Sequence, residues 1–428
     1  MPPAPETTSL AVLEMARAGR FEEIRELFAP GLRSLVSAEA LQSAWQGELD
    51  RLGPVSGVGT PLSEAAGPGM VLVRVPVACQ RGELTLVVTV AGDRWLAGLQ
   101  LAPASAAQPN LPWEPPAYAN PGEFDEQELT LGSGRLSVPG TLSLPHRPGP
   151  LPAVVLLSGS GPLDRDGTMG RNRPYKDLAW GLASLGVAVL RFDKVTYAHG
   201  AEVKQKQDFT LADEYLPDAV AAVKRLGQLT AIDQRRVFLI GHSLGGTVAP
   251  RVAAAAPSVA GLVLLAGGAQ PLHWAAVRQV RYLASLDSAT VATSASAIVA
   301  LTEQAARVDS AQLSTSTPAG DLPFGVPAPY WLDLRAYDPV ALAAQLAKPM
   351  LILQGGRDYQ ATVADDLVLW QAGLASAPGV TIRIYPLDNH LFFPGTGPST
   401  PAEYEPAQHL DAAVVADIAR WLETVRSE

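Results

Sequence analysis

The chain has almost no cysteine, with Cys79 alone among 428 residues. A single thiol excludes an internal disulfide and any metal site built on cysteine ligands. It falls in the largely apolar run 71–79 and is expected as a buried core thiol. Charge is sparse too. Asp, Glu, Lys and Arg make up 17% of the chain against 47% hydrophobic residues, which excludes a mainly disordered protein and leaves ample material for a core. Positive charge is in shortest supply. The formal net charge is −10 and no local cluster of Lys and Arg offsets it, so the phosphate-binding footprint of a nucleic-acid partner is missing. No apolar run approaches the roughly 20 residues that span a bilayer. The opening Met1-Pro-Pro-Ala-Pro-Glu lacks the basic segment and apolar stretch of a secretion signal. The expectation is a cytoplasmic protein with no membrane or nucleic-acid partner. Its oligomeric state is left open, a homodimer being one option.

Residues 1–104 read as a separate small α+β domain. Leu10, Leu13 and Ala16 share a helical face ending at Gly19, and Phe21, Ile24, Leu27 and Phe28 make a second, stopped near Pro30. Ser37 is suited to cap a third helix carrying Leu41, Trp45, Leu49 and Leu52 on one side, with Gly53 beyond its end. Three strand-like runs, 71–79, 83–90 and 95–101, are separated by Gln80-Arg81-Gly82 and Ala91-Gly92-Asp93, which predicts an antiparallel meander. Residues 105–122 hold Pro109, Pro112, Pro115 and Pro116 and read as an extended linker, with Trp113 and Tyr118 pinning it to a domain surface.

From 123 to 428 the rhythm changes. Apolar runs at 152–157, 187–192, 237–240, 261–265, 350–353 and 381–385 alternate with amphipathic helical stretches. Continuous Val/Ile/Leu runs are the mark of strands buried on both faces, so an α/β fold with a doubly wound, mostly parallel sheet is predicted. Between about 272 and 337 an Ala/Ser-rich helical stretch interrupts the alternation. An insertion of that length after a strand end predicts a helical cap over a site.

The strongest chemical signal is Gly241-His242-Ser243-Leu244-Gly245, directly after the strand 237–240 and before a helix. A serine hydroxyl is a useful nucleophile only when a sharp strand-to-helix turn exposes it within reach of a base, and the flanking glycines let the backbone make that turn. The Leu244 N–H then points to where an oxyanion develops. The acid and base should follow in chain order after later strands. Run 350–353 leads into Gln354-Gly355-Gly356-Arg357-Asp358, and run 381–385 into Pro386-Leu387-Asp388-Asn389-His390. Asp358 is therefore read as the acid and His390 as the base. Asp365, Asp366 and Asp388 are rivals for the acid. The first two lie inside a following helix, and Asp388 is too close to the base in sequence to orient it from another loop. Of the remaining histidines, His146, His199 and His409 are expected to be solvated, His242 to pack beside the turn, and His273 to be structural rather than pocket-lining. The run after strand 152–157, Ser158-Gly159-Ser160-Gly161-Pro162, should supply the second oxyanion donor, assigned to Ser160. A dinucleotide-binding reading of it fails, because Asp164 stands where the third glycine is required and Pro162 interrupts the turn. Asp164-Arg165-Asp166 is read as an ion-pair brace.

At these residues the chain resembles a known family. Gly159-Ser160-Gly161-Pro162 with Asp164-Arg165-Asp166, Tyr175-Lys176-Asp177-Leu178-Ala179-Trp180, residues 241–246, Leu353-Gln354-Gly355-Gly356-Arg357-Asp358-Tyr359-Gln360 and Asn389-His390-Leu391-Phe392 are similar to bacterial α/β-hydrolase carboxylesterases of the dienelactone-hydrolase and prolyl-oligopeptidase-like branches. The resemblance implies an α/β-hydrolase fold and hydrolysis of small-molecule esters without cofactor or metal, through a Ser243–Asp358–His390 triad. The first 104 residues are similar to a small domain of unassigned role found ahead of such hydrolases. The expectation is a serine carboxylesterase acting on short-chain acyl esters through an acyl-enzyme. The alternatives keep the triad in a peptidase, thioesterase or lactonase, or use the fold as a non-catalytic binding protein.

Overall fold

The computed structural model describes residues 4–33, 36–67, 69–91, 95–104, 113–286 and 288–425. Residues 105–112 of the expected linker, Gly92 and Asp93 of the second expected hairpin turn, and the first three residues lie outside them. The chain divides into two compact units, Met1–Pro112 and Trp113–Glu428.

The smaller unit begins with helices Pro5–Arg17, Phe21–Glu26, Pro30–Arg33 and Ala38–Leu52. Ser37 caps the last of these by accepting a hydrogen bond from the Ala40 N–H at 3.2 Å, and Gly53 ends it at φ 81°. Five strands follow: β1 (Val55–Val58), β2 (Leu62–Gly67), β3 (Met70–Cys79), β4 (Gly82–Ala91) and β5 (Leu96–Pro103). They form one antiparallel sheet in the order β1-β3-β4-β5, with β2 also paired to β3. Val73, Val75 and Val77 of β3 alternate inward with Leu84, Leu86 and Val88 of β4 onto Leu13, Ile24 and Trp45. Cys79 is free and buried in this core, and burial pushes its thiol pKa up. The unpredicted strands β1 and β2 are short and carry Gly57, Ser63, Glu64 and Gly67, so their sequences hold no apolar run.

The larger unit is built on eight strands: β6 (Phe124–Leu131), β7 (Val138–Pro145), β8 (Leu151–Leu157), β9 (Ala188–Phe192), β10 (Ile232–His242), β11 (Leu262–Leu265), β12 (Met350–Gly355) and β13 (Val380–Tyr385). Their order is β13-β12-β11-β10-β8-β9-β7-β6. The six from β13 to β9 pair in parallel, and β7 and β6 close one edge antiparallel. The apolar runs are continuous because both faces are covered. Val155, Leu157, Leu239 and Leu264 pack toward helices Leu211–Leu226 and Leu244–Ala255. Their neighbours Val154, Leu156, Phe238, Ile240 and Val263 pack toward helices Pro174–Ser184 and Ala412–Thr424. The edge pair β6–β7 was not predicted. β6 exposes Asp125, Glu126, Gln127 and Glu128 to solvent, and Pro139-Gly140 in β7 reads locally as a turn. Trp113 and Tyr118 belong to this unit. Trp113 Nε1 donates to Asp177 at 2.8 Å and the Tyr118 hydroxyl to the Leu410 carbonyl at 2.8 Å.

Between β11 and β12 stand helices Leu272–Ser285, Ser288–Asp309, Ala328–Arg335 and Pro339–Leu346. The first three surround a small core of their own, with Val308, Leu313, Leu322, Ala328 and Trp331, whereas Ala343 of the fourth packs into the core beside the sheet. Among the described residues no helix is long and apolar enough to cross a membrane.

The Asp164-Arg165-Asp166 run pairs with strands rather than within itself. Arg165 donates to Asp193 at 2.9 Å and Thr141 at 2.8 Å, and Asp166 accepts from Arg191 at 2.9 Å. Arg191, only 2% exposed, also reaches Glu126 at 2.8 Å and the Ser143 hydroxyl at 3.0 Å. Removing it takes the close cationic partner from Asp166, whereas Glu126 keeps hydrogen bonds from Ser143 at 3.0 Å and Trp180 at 2.8 Å. Arg191→Met is therefore expected to cost about 3 kcal/mol, the scale for breaking a buried ion pair from one side, read as a fall in the thermal midpoint of the larger unit. Arg173, at the rim and 3.8 Å from Asp166, is the control. A loss no greater than that of Arg173→Met would show that the brace contributes no stability.

Candidate active site

Ser243 sits between β10 and helix Leu244–Ala255 with φ 54° and ψ −122°, a region a residue with a side chain adopts only under strain. Its N–H is fixed by the Leu265 carbonyl at 2.8 Å. The turn is possible only because its neighbours lack side chains. A Cβ on Gly241 would lie 2.3 Å from the Gly245 carbonyl oxygen, and one on Gly245 would lie 2.3 Å from that of Leu157. The elbow is thereby wedged against the end of β8, the strand that continues into Gly159 and Ser160.

His390 and Asp358 arrive on the loops after β13 and β12. Gly355 permits this, since a Cβ there would lie 2.4 Å from the Asn389 carbonyl oxygen, and the Arg357 N–H joins the loops by donating to the Asp388 carbonyl at 2.9 Å. Both side chains are buried, and His390 Nδ1 lies 2.8 Å from Asp358 Oδ2. A carboxylate accepts, so Nδ1 carries the hydrogen and the Nε2 lone pair is free. Asp358 accepts three further hydrogen bonds, from the Gln360 and Ala361 amides at 2.7 and 3.1 Å and from Gln354 Nε2 at 3.0 Å. Ser243 and His390 line one cavity, together with Leu244 and Ser160. Among the described residues the Ser243 hydroxyl makes no hydrogen bond to His390, a contact that is commonly long before substrate binds. The Leu244 and Ser160 amides likewise have no acceptor among the described residues.

His242 does more than pack beside the turn. Its Nε2 lies 2.8 Å from the His390 carbonyl oxygen and its Nδ1 3.0 Å from the Tyr175 hydroxyl, which in turn accepts the Gly159 N–H at 2.9 Å. The carbonyl can only accept, so the directions follow: Gly159 N–H to Tyr175, Tyr175 O–H to Nδ1, and Nε2–H to His390. This is the arrangement of a neutral imidazole. Burial, with the His390 ring as the second cause, pulls its pKa down to about 3. This chain ties the loop after β8 to the loop that carries the base. Neither Tyr175 nor His242 had a sequence signal for it beyond adjacency to motifs.

Other expectations need correction. His273 lines the cavity, held to Asp309 at 2.9 Å. His199 and His409 are half-buried and bonded, to the Ser137 carbonyl at 2.8 Å and to Asp177 at 3.2 Å, so of the three histidines expected in solvent only His146 is exposed. Asp366 is buried and wholly occupied. It accepts from the Ala269 and Gln270 amides, both at 3.0 Å, the Thr362 amide at 2.9 Å and Arg278 at 2.7 Å, and so holds the first helix of the insertion to the sheet edge. The cavity encloses about 1200 Å³, and Leu272, Ala276, Phe324, Tyr330, Trp331 and Leu334 of the insertion contribute to its wall.

Residues 166–390 match the model of the family described as serine aminopeptidase, S33; the stretch contains Ser243 and Asp358 and ends on His390. Esterase EstD of Thermotoga maritima is 36% identical over 342 residues, 80% of this chain and 77% of that protein. Esterase FrsA of an Enterobacter species is 28% identical over 165 residues, 39% of this chain and 36% of that protein. Among solved structures, Est1E from Butyrivibrio proteoclasticus aligns with a TM-score of 0.45 and 15% identity, over 69% of this chain and 97% of that one.

Asp388, a rival for the acid by sequence, does not touch the His390 ring. Its Oδ2 is buried without a partner among the described residues. Burial, then the nearby Asp411 carboxylate, pushes its pKa up to about 7, against a smaller opposing pull from Arg357. An acid whose folded pKa lies above its unfolded value binds its proton more tightly in the native state. Between about pH 4 and 7 that difference makes stability fall as pH rises. Asp388→Asn should therefore remove part of the decline in thermal midpoint between pH 5 and pH 8. Unfolding curves for parent and variant at the two pH values measure it, and parallel declines would mean that Asp388 is not the group responsible.

Proposed function

The chain belongs to the serine aminopeptidase S33 family of α/β-hydrolases, and from its 36% identity to Esterase EstD over 80% of the chain we propose that it is a carboxylesterase forming an acyl-enzyme on Ser243. The observation that carries the reading is the pairing of His390 with Asp358 at 2.8 Å, beside an elbow serine that lines the same cavity. Ser243 Oγ attacks the ester carbonyl while its proton passes to His390 Nε2, and the Asp358 carboxylate stabilises the imidazolium. The carbonyl π pair moves onto oxygen, where the Leu244 and Ser160 amides donate to it. Collapse expels the alcohol, which takes the proton from His390. Water, activated by the same nitrogen, then releases the acid.

The family description names a peptidase, so the leaving group needs a reason of its own. An aminopeptidase needs an uncommitted carboxylate for the substrate's ammonium. The carboxylates on this cavity wall already have partners: Glu214 with Lys194 and Tyr330, Asp309 with His273 and Trp274, Asp366 with Arg278, and Asp338 with the Ala341 amide. The helices between β11 and β12 act as the cap, and the apolar wall they add suits a short acyl chain, with volume left for a bulkier alcohol. Each buried CH₂ is worth only about 0.8 kcal/mol, so preference among short chains is gentle.

Ser243→Ala is expected to remove about a million-fold of the rate, the scale for a triad serine, together with labelling by an organophosphonate probe. Labelling that persists in the variant would place the nucleophile elsewhere. Asp358→Asn should lower kcat by about 10⁴, because an amide favours the wrong imidazole tautomer. On matched substrates, kcat/KM for p-nitrophenyl butyrate should far exceed that for aminoacyl and peptidyl p-nitroanilides. An anilide equal to the butyrate would replace the esterase reading with a peptidase.

A further inference from the structure

Lys194 takes no part in these proton transfers, yet it is buried to 2% exposure directly beneath the loop that carries Ser160. It follows β9, and its ammonium has its full complement of acceptors: the Gly159 carbonyl at 2.9 Å, the Tyr215 hydroxyl at 3.0 Å and Glu214 Oε1 at 3.0 Å. With that hydroxyl's lone pair taken, the Tyr215 proton is free to be shared between the Ser158 and Gly159 carbonyls, each at 2.9 Å. Glu214 does not depend on the lysine alone. Tyr330 donates to its Oε2 at 2.6 Å and Thr196 to its Oε1 at 3.0 Å.

The Gly159 carbonyl and the Ser160 N–H are two ends of one peptide unit. Among the described residues there is no cis peptide bond, so the two point in opposite directions. The carbonyl is drawn inward by a cation and a phenol. The N–H of the same unit is therefore turned the other way, on a residue that lines the cavity with Ser243. Tyr175 holds the preceding N–H, that of Gly159, at 2.9 Å, which leaves the unit little freedom to rotate. A hydrogen bond from an ammonium to a carbonyl also polarises the amide and strengthens its N–H as a donor.

Resting on the proposed acyl-enzyme reading, we propose that Lys194 is a positioning residue for the oxyanion hole: it aims and polarises the Gly159–Ser160 peptide so that the Ser160 N–H meets the oxyanion. The competing account is a Lys–Glu pair that only holds the fold together. The two differ in what they do to charge that exists only in the transition state.

The test compares a butyl trifluoromethyl ketone with the matching trifluoromethyl carbinol as inhibitors. The ketone adds Ser243 Oγ at its carbonyl carbon, passes the hydroxyl proton to His390 and places an alkoxide in the oxyanion hole. The carbinol fills the same space without an oxyanion. Lys194→Met should lower kcat about 10- to 100-fold and weaken the ketone by the same factor, less than deleting an oxyanion donor outright, while KM and the carbinol's affinity stay within about threefold. Tyr215→Phe removes only the phenol hydroxyl and should shift the ketone, not the carbinol, by a smaller factor, so the test survives if the Met variant does not fold. The double variant Lys194→Met/Glu214→Gln, read against Glu214→Gln, should show the Lys194 loss without an unpaired buried charge. Equal weakening of both inhibitors, or an unchanged ketone affinity, would overturn the inference. Phosphonate labelling separates the two levels. If it persists in Ser243→Ala, the acyl-enzyme reading and this inference both fall; if it is abolished there while Lys194→Met binds the ketone as the parent does, only the inference falls.

Discussion

Ser243 is held at φ 54° and ψ −122° by backbone packed so closely that no Cβ would fit at Gly241 or Gly245. Such a conformation costs on the order of 1–3 kcal/mol and persists only where the surroundings over-determine it. Here the surroundings are three parallel strand ends. β10 delivers the serine, β11 fixes its N–H through Leu265, and β8 bears against Gly245 before turning into Gly159, whose own Cβ position lies 3.3 Å from that of Ser243. The remaining parts of the site are placed relative to this contact. Were the sheet to slip by one residue, the serine, the loop after β8 and the base would lose their common edge.

Around that contact nearly every polar group is already committed. Asp358 accepts from two amides, Gln354 and His390; His242 bridges Tyr175 to the His390 carbonyl; Lys194 saturates its three hydrogens on Gly159, Tyr215 and Glu214. Buried networks of this kind are rigid when complete. Among the described residues, the groups left without an acceptor or donor include the Ser243 hydroxyl, His390 Nε2 and the amides of Leu244 and Ser160. Those are the groups that the proposed acyl transfer would use. The site is thus defined as much by what its neighbours have used up as by the triad itself.

The insertion between β11 and β12 contributes an apolar wall whose acidic members, Asp309 and Asp338, already have hydrogen-bond partners. Asp366 anchors its first helix through Arg278 and the backbone at Ala269 and Gln270, so the apolar wall is fastened to the same sheet edge as the catalytic loops. A wall of this sort discriminates by fit and by chain length, with small increments per methylene. Its carboxylates among the described residues already accept hydrogen bonds, Asp309 from His273 and Trp274 and Asp338 from the Ala341 amide.

Much of this could be read from the order of residues. A continuous apolar run marks a strand covered on both faces, a glycine-flanked serine after such a run marks the elbow, and an aspartate and a histidine just past later strands mark the pair that the fold brings together at 2.8 Å. These are local signals, because each depends on residues within a few positions of one another. The edge pair β6–β7 escaped notice for the opposite reason: Asp125, Glu126, Gln127 and Glu128 face solvent, and an edge strand needs no apolar run. The roles of Tyr175, His242, Lys194, Glu214, Tyr215 and Asp366 were decided only by tertiary structure. Each is an ordinary polar residue in its own stretch of sequence. What gives it a function is burial beside one atom from a distant segment, and hydrogen bonds of about 3 Å across dozens of residues leave no periodicity in the chain to read.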